Sequence, residues 1–282
     1  MSNLETEIAP PPPNPSVQLS VPTPNILLVT INRPKQMNSV PYPVSWYLHS
    51  VFDWFDREPT LRVAIITGAG TKAFSAGQDL IELRERDPKV LEAQPHLATL
   101  ASTGFAGVSR RVGKKPVIAA VNGLALGGGF ETVLNCDMTV ASPTATFGLP
   151  EALRGIYAGG GSLPRLVRNV GMPLASEISL TGRTLSASEA LKYNLINKIS
   201  STPETVVQEA VTLASKVANL SPDAITVTRA ALRQAWETGS VERGNTLIDE
   251  RFLRDLLEGE NAKEGLAAFK EKRKPLWKAG KL

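Results

Sequence analysis

Lys115-Pro-Val-Ile-Ala-Ala-Val-Asn-Gly-Leu-Ala-Leu-Gly-Gly-Gly-Phe-Glu-Thr-Val-Leu-Asn-Cys136 is the stretch that decides how this chain folds. Val117 to Val121 is a short apolar run bounded by turn residues, the pattern of a buried strand. Phe130 to Cys136 reads as a helix. Three consecutive glycines, Gly127 to Gly129, stand between them. Each glycine in a helix costs up to about 1 kcal/mol, so three at a helix start need a reason. Backbone N–H groups at a helix N-terminus are unpaired and carry positive dipole, so one reason is close approach to an anion. The other is a tight strand-to-helix turn against a neighbouring segment. Both readings stay open at this point.

Outward from that stretch the same alternation continues. Asn25 to Ile31, Val63 to Thr67 and Met138 to Ala141 also read as strands. Between the first two, Val44 to Asp56 repeats apolar residues at three and four, which predicts an amphipathic helix with its aromatics in the core. Strands separated by helices predict an α/β fold with crossover connections. Strand signals fade after about residue 186. Ser186 with Glu189 forms a capping box, and Thr202-Pro203 and Ser221-Pro222 each place a hydroxyl before a proline at a helix start. Helices are expected over 204–220, 223–238, 241–257 and 261–272. No internal repeat recurs at a fixed period. Seven of the 21 prolines fall in the first 24 residues, including Pro10 to Pro13. The chain therefore divides into a disordered or polyproline-like tail (1–24), a core (25–202) and a helical C-terminal region (203–282) expected to pack on the core or on another subunit.

Composition removes several classes of protein. The 282 residues are 42% hydrophobic and 21% charged, enough for one large core. A single cysteine, Cys136, permits no internal disulfide, and with only His49 and His96 there is no ligand set for structural zinc. No apolar window is long enough to span a membrane. The first 32 residues contain no Lys or Arg, unlike a secretory signal or a transit peptide. The ending Gly280-Lys281-Leu282 differs from a peroxisomal Ser-Lys-Leu address at its first residue, so a cytoplasmic or peroxisomal protein is expected. Lys plus Arg exceed Asp plus Glu by 31 − 27 = 4, and basic residues are dense only at Arg110, Arg111, Lys114, Lys115 and from Lys270 to Lys281. Such runs are usually solvated faces, although a phosphate-bearing ligand would need one.

For chemistry, Gly160-Gly161-Ser162-Leu163-Pro164 fails the nucleophile-elbow pattern of serine hydrolases, and Gly68-Ala69-Gly70 lacks the rest of a nucleotide-binding loop. Two segments remain unusual: Lys72-Ala-Phe-Ser-Ala-Gly-Gln-Asp-Leu80, which follows one strand, and the triple-glycine segment, which follows another. Glu131 lies directly after the glycines, and Glu151 lies 20 residues further on in Phe147-Gly-Leu-Pro-Glu-Ala-Leu153; both have apolar neighbours. Carboxyls near one low-polarity cavity can hold different protonation states, one acting as base and one as acid. Each could equally be a helix-end or surface charge.

These two segments, the glutamate spacing and Lys115 to Gly123 together resemble the enoyl-CoA hydratase/isomerase, or crotonase, family. The likeness runs from Ile26-Leu-Leu-Val-Thr-Ile-Asn-Arg-Pro34, through Arg62 to Leu80, Lys115 to Glu151 and Gly155 to Arg165, to Gly265-Leu-Ala-Ala-Phe-Lys-Glu-Lys-Arg273. The resemblance implies a spiral of repeated ββα units with helical C-terminal trimerisation, often as a dimer of trimers. It implies a thioester oxyanion hole made by the backbone N–H groups of Ala76 and Gly128, where one donor is worth about 10²- to 10³-fold. It implies Glu131 as the base that deprotonates water and Glu151 as the acid that protonates Cα. CoA would lie beside Ala76, Gly77, Gln78 and Asp79, with Gly159 near the water and Lys272 meeting phosphates, often across subunits. No metal or redox cofactor is implied, and coenzyme A enters as part of the substrate.

The chain departs from many hydratases at Ala158, where they carry Pro, and at Gln78, where they carry Ala or Asn. Leu61 to Gly70, Gly129-Phe-Glu131 and Pro275-Leu-Trp-Lys278 look especially like carnitinyl-CoA dehydratases. A hydro-lyase acting on a trans-2-enoyl-CoA is therefore expected. A carnitinyl-CoA-type dehydratase or an isomerase is the alternative, and a silent, RNA-binding relative using Lys114 and Lys115 is a more distant one.

Overall fold

The computed structural model of the protein describes residues 6–282. Ten strands are formed: β1 (Val17–Thr23), β2 (Ile26–Ile31), β3 (Val63–Gly68), β4 (Ala73–Ser75), β5 (Val117–Val121), β6 (Leu124–Leu126), β7 (Met138–Ala141), β8 (Thr146–Gly148), β9 (Thr184–Ser186) and β10 (Lys198–Ile199). They make a six-stranded sheet, β1-β2-β3-β5-β7-β10, and a four-stranded sheet, β4-β6-β8-β9. Only β1–β2 and β8–β9 pair antiparallel. The repeating unit is a strand of the large sheet, a short strand of the small sheet, then a helix. The unit recurs as β3, β4 and Leu80–Arg84, as β5, β6 and Gly128–Asn135, and as β7, β8 and Ser162–Thr181.

The central strands β3 and β5 are buried along their whole length because both faces of the large sheet are covered there. Val63 and Ile65 of β3, with Ile118 and Val140, pack on Val206, Ala210, Val211 and Ala214 of the helix Val206–Ala218. Ala64 and Ile66 point the other way, into the larger core that holds Phe74, Phe130, Phe147 and the aromatics of the helix Tyr42–Arg57. All four expected strands are present, with edges moved by at most one residue. Among the described residues no helix is long and apolar enough to cross a membrane.

The proline-rich tail is not disordered over its described length, and its first five residues lie outside the described residues. β1 pairs with β2, with Val17 opposite Ile31 and Leu19 opposite Val29. Upstream of it, the fully buried Glu58 carboxylate accepts the amides of Ile8 (2.6 Å), Glu7 (3.3 Å) and Thr60 (2.9 Å), while the Trp54 indole donates to the Ile8 carbonyl at 2.9 Å. Burial alone pushes the Glu58 carboxyl up, but the Thr60 hydroxyl and these amides outweigh it and hold it below the usual carboxylate range. Its stabilisation is therefore present above the unfolded-state pKa and is lost as pH falls through the depressed folded value. Glu58→Ala is expected to cost about 2 kcal/mol and to speed amide hydrogen exchange at Ile8 more than at the β3 amides.

Other edges moved as well. The helix expected from Thr202-Pro203 begins at Val206, since residues 202–205 form turns. The helix expected over 241–257 is interrupted by a π-helical turn, Asp249–Leu253. Ser162–Thr181, broken at Gly171 with φ 76°, was not anticipated. Ser221 does cap the helix Pro222–Glu237, accepting from Ala224 N–H. Arg229 of that helix places Nε 2.9 Å from both Asp137 oxygens, and Arg233 donates to the Asn135 carbonyl at 2.7 Å. These bonds pin the C-terminal region to the end of the Gly128–Asn135 helix. Lys115 is not a surface cation: its ammonium donates to the Phe55 carbonyl (2.8 Å) and the Glu58 carbonyl (2.5 Å), and burial lowers its pKa to about 8. Lys281 and Leu282 fold back, and their amides donate to Asp223 Oδ1 at 2.6 and 3.2 Å.

Candidate active site

Two loops emerge side by side where β4 and β6, paired in parallel, come to an end. Gly77 in the first has φ 91°, and a Cβ on it would lie 2.9 Å from the Leu126 carbonyl and 3.0 Å from the Gly128 nitrogen. No side chain fits there. In the second loop, a Cβ on Gly129 would lie 2.3 Å from the Ser75 carbonyl, and one on Gly128 would lie 2.6 Å from the Phe105 ring. Of the two explanations of the triple glycine, these contacts show the tight turn against a neighbouring segment. Gly129 is glycine because the loops touch, and Gly128, the first residue of its helix, presents an N–H with no intrahelical acceptor.

The Ala76 amide does not fit the donor role that the resemblance implies for it. It donates to the Met37 carbonyl at 3.0 Å, and the Gly77 amide donates to Ser75 Oγ at 3.2 Å. Gln78 sits in a parallel bridge opposite Val40, in which Gly77 O accepts from Val40 N–H and Asp79 N–H donates to Val40 O. The alternation of such a bridge turns Gln78's own N–H away from Val40. Among the described residues that N–H has no acceptor. The donor pair that the geometry supports is thus Gln78 and Gly128. Asp79 is occupied: it caps the helix Leu80–Arg84 and accepts from Arg33 Nη1 at 2.8 Å. Burial would raise its pKa, but the Arg33 bond and charge and the Glu82 amide hold it below the usual range.

Glu131 is 4% exposed and projects from the Gly128–Asn135 helix. Its Oε1 accepts the Ser162 hydroxyl at 2.8 Å and the Ser162 amide at 3.3 Å. Its Oε2 lies against Gly160, where a Cβ would come within 2.3 Å. Burial pushes its pKa up against these bonds. Glu151 opens the 3₁₀ turn Glu151–Arg154 that follows β8. Its Oε1 is 3.1 Å from where a Gly127 Cβ would stand, and its Oε2 is buried without a hydrogen-bond partner. Burial, reinforced by the neighbouring Glu131 charge, raises its pKa to about 7. The fold thus brings the two glutamates and the glycine loop together, and it supports one carboxyl with donors while leaving the other bare.

Gly159 is exposed and lies against the Tyr157 ring; its neighbour Gly160 is the residue that meets Glu131. Lys272 is exposed in left-handed conformation at the end of the helix Glu260–Glu271, which packs on the helices Pro222–Glu237 and Arg254–Glu258. Sequence reasoning missed Ser162, Gly160, Phe105 and the Gln78 amide. The visible signal for Ser162 was a hydroxyl directly after the glycine run 159–161.

An enoyl-CoA hydratase/isomerase family model matches residues 23–280. A mevalonyl-coenzyme A hydratase of Aspergillus fumigatus is 45% identical over 272 residues, covering 95% of this chain and 98% of that protein. A carnitinyl-CoA dehydratase of Escherichia coli O157:H7 is 40% identical, covering 90% and 95%. The crystal structure of an enoyl-CoA hydratase from Mycobacterium tuberculosis superposes with a TM-score of 0.83 at 35% identity, covering 94% of this chain and 99% of that one. With this fold, these paired loops and likeness along nearly its whole length, the chain belongs to the enoyl-CoA hydratase/isomerase family.

Proposed function

We propose that this protein is a hydro-lyase that interconverts a 2-enoyl-CoA and its 3-hydroxyacyl-CoA. The observation that carries the reading is the unequal pair of carboxyls beside two unpaired backbone N–H groups. Glu131, with its donors, is the base: it takes a proton from water as the hydroxyl bonds to Cβ. The thioester oxygen gains the negative charge and is held by the Gln78 and Gly128 amides. Glu151, protonated up to about pH 7, delivers its proton to Cα, and exchange with solvent resets both groups. Dehydration is the same sequence reversed.

For the substrate, the relatives' names point to short 3-hydroxyacyl groups with a polar end, as mevalonyl and carnitinyl groups both are. A polar chain that starts at the oxyanion loop supports this. Gln78 Nε2 donates to Glu82 at 3.3 Å, Glu82 approaches Arg86 at 3.5 Å, and the Arg86 guanidinium lies 3.6 Å from the centre of the Tyr42 ring. Exposed Leu232, Val241, Leu266 and Phe269 on the C-terminal helices support a subunit contact there, as a homotrimer or a dimer of trimers would need. The test is mass spectrometry of the protein incubated with straight-chain 2-enoyl-CoA thioesters, mevalonyl-CoA and carnitinyl-CoA. Gain or loss of one water by a single thioester, a polar-ended one, is expected. Binding of thioesters without any mass change would remove the hydro-lyase reading.

A further inference from the structure

Of the two glutamates only Glu131 is held by side-chain and backbone donors, and Ser162 supplies both of the bonds to its Oε1. Ser162 is fully buried and directs both its hydroxyl (2.8 Å) and its amide (3.3 Å) to the same carboxylate atom, Oε1. It is also the first residue of the helix Ser162–Thr181, so Glu131 accepts one of the unpaired amides of that helix and sits at its positive end. The preceding residue, Gly161, has φ 112°, and its carbonyl is held by Arg165 Nη1 at 2.7 Å. Arg165 in turn donates from Nε to Asn135 Oδ1 at 2.8 Å, and Asn135 closes the helix that carries Glu131. The helix bearing the acceptor and the helix bearing the donors are thus fastened together one turn beyond the carboxylate.

We propose that Ser162 is a positioning residue for the base: by binding Oε1 twice it keeps Glu131 ionised and leaves Oε2 as the atom that takes the proton from water. A carboxylate has no torsional preference that would present one oxygen to a substrate, so a site that needs one must fasten the other. A serine hydroxyl donates to the charged form and loses that bond's strength when the carboxyl is protonated, so its removal raises the pKa of Glu131. The groups that also act on Glu131 are Glu151 from the 3₁₀ turn, Arg165 from the Ser162–Thr181 helix, and the Gly160 amide. Arg110 packs against Gly161. The strands and the Phe105 turn packed against the Glu131 helix bring no other titratable group to it. Substituting Ser162 changes none of these charges.

The proposal rests on Glu131 being the base, and the experiment separates the two. Infrared difference spectra, isolated by subtracting E131Q, titrate the Glu131 carboxyl without any substrate. Turnover is followed over pH with the thioester found active in the pool above. Ser162→Ala is expected to raise the Glu131 titration and the acid limb of kcat/KM together by about one pH unit, with KM within about twofold and turnover at the plateau reduced about tenfold. Ser162→Cys, which keeps the volume but is a poor donor, should behave like alanine. Ser162→Thr, which restores a hydroxyl, should return both titrations toward wild type. In the E131Q background, Ser162→Ala should add nothing. An unshifted infrared titration in both the Ala and Cys variants, or an additive loss in E131Q, overturns the Ser162 proposal. A shifted infrared titration with an unmoved acid limb instead removes Glu131 as the base, and the proposed function with it.

Discussion

Glu151→Gln is expected to lower hydration turnover by at least about 10²-fold while thioester binding is retained, and Glu131→Gln to do the same. The two losses differ in their pH signatures. In the proposed reaction Glu151 must be protonated to deliver its proton to Cα, and its pKa is raised to about 7, so the hydration rate of the wild type should fall as pH rises past neutrality. In the dehydration direction the same group must be ionised, so the limb inverts and the rate rises through the same range. Glutamine cannot titrate, so Glu151→Gln should erase that limb in both directions, whereas Glu131→Gln should leave it in whatever turnover survives. Stopped-flow rates in both directions from about pH 5.5 to 9 read this out. Near-normal turnover in either variant would remove the two-carboxyl mechanism.

The largest expected effect on stability is at Arg229 of the helix Pro222–Glu237. Its guanidinium is 6% exposed, grips both Asp137 oxygens, and donates to the Val112 and Gly113 carbonyls at 2.6 and 2.7 Å. Asp137 also accepts the Val117 amide at 2.8 Å, so it links the start of β5 to the C-terminal helices. Arg229→Met keeps much of the volume but leaves this carboxylate with the Val117 amide and Arg233 as its partners, and two carbonyls without the Arg229 donor. Breaking a buried pair in this way costs about 3 to 5 kcal/mol, and chemical denaturation should show a loss of that order. Burial would raise the Asp137 pKa, but Arg229 and Arg233 outweigh it and hold it below the usual range. The stabilisation it contributes is therefore present above its unfolded-state pKa and disappears as pH falls through the depressed folded value. The gap between wild type and Arg229→Met should accordingly narrow in acid. Equal denaturation midpoints at neutral pH would show that Asp137 is satisfied without Arg229.

The elements legible in the sequence are those whose signal is local. β2, β3, β5 and β7 are runs of four to six residues buried on both faces, and they stand out by composition. The Ser186–Glu189 capping box forms as expected because all of its partners lie within one helical turn. β4, β6, β8 and β9 are three residues each, too short for a period to register, so the small sheet that carries the two glycine-containing loops was invisible. The N-terminal segment was misread for a related reason. Prolines mark it as tail-like, but its partners, Glu58 and Trp54, lie about fifty residues away along the chain.

The sequence by itself determined the family and singled out two glutamates and a glycine loop that the fold then brings together, because residue type and spacing carry that information along the chain. It could not determine which backbone amide in Ser75-Ala-Gly-Gln-Asp79 is free, since that depends on whether a carbonyl from another segment, here Met37, has already claimed it. Nor could it show that Ser162, 31 residues beyond Glu131, closes on that carboxylate. An amide's availability and a carboxyl's proton affinity are set by what lies within about 3 Å in space, and for this chain only the tertiary structure brings those partners together.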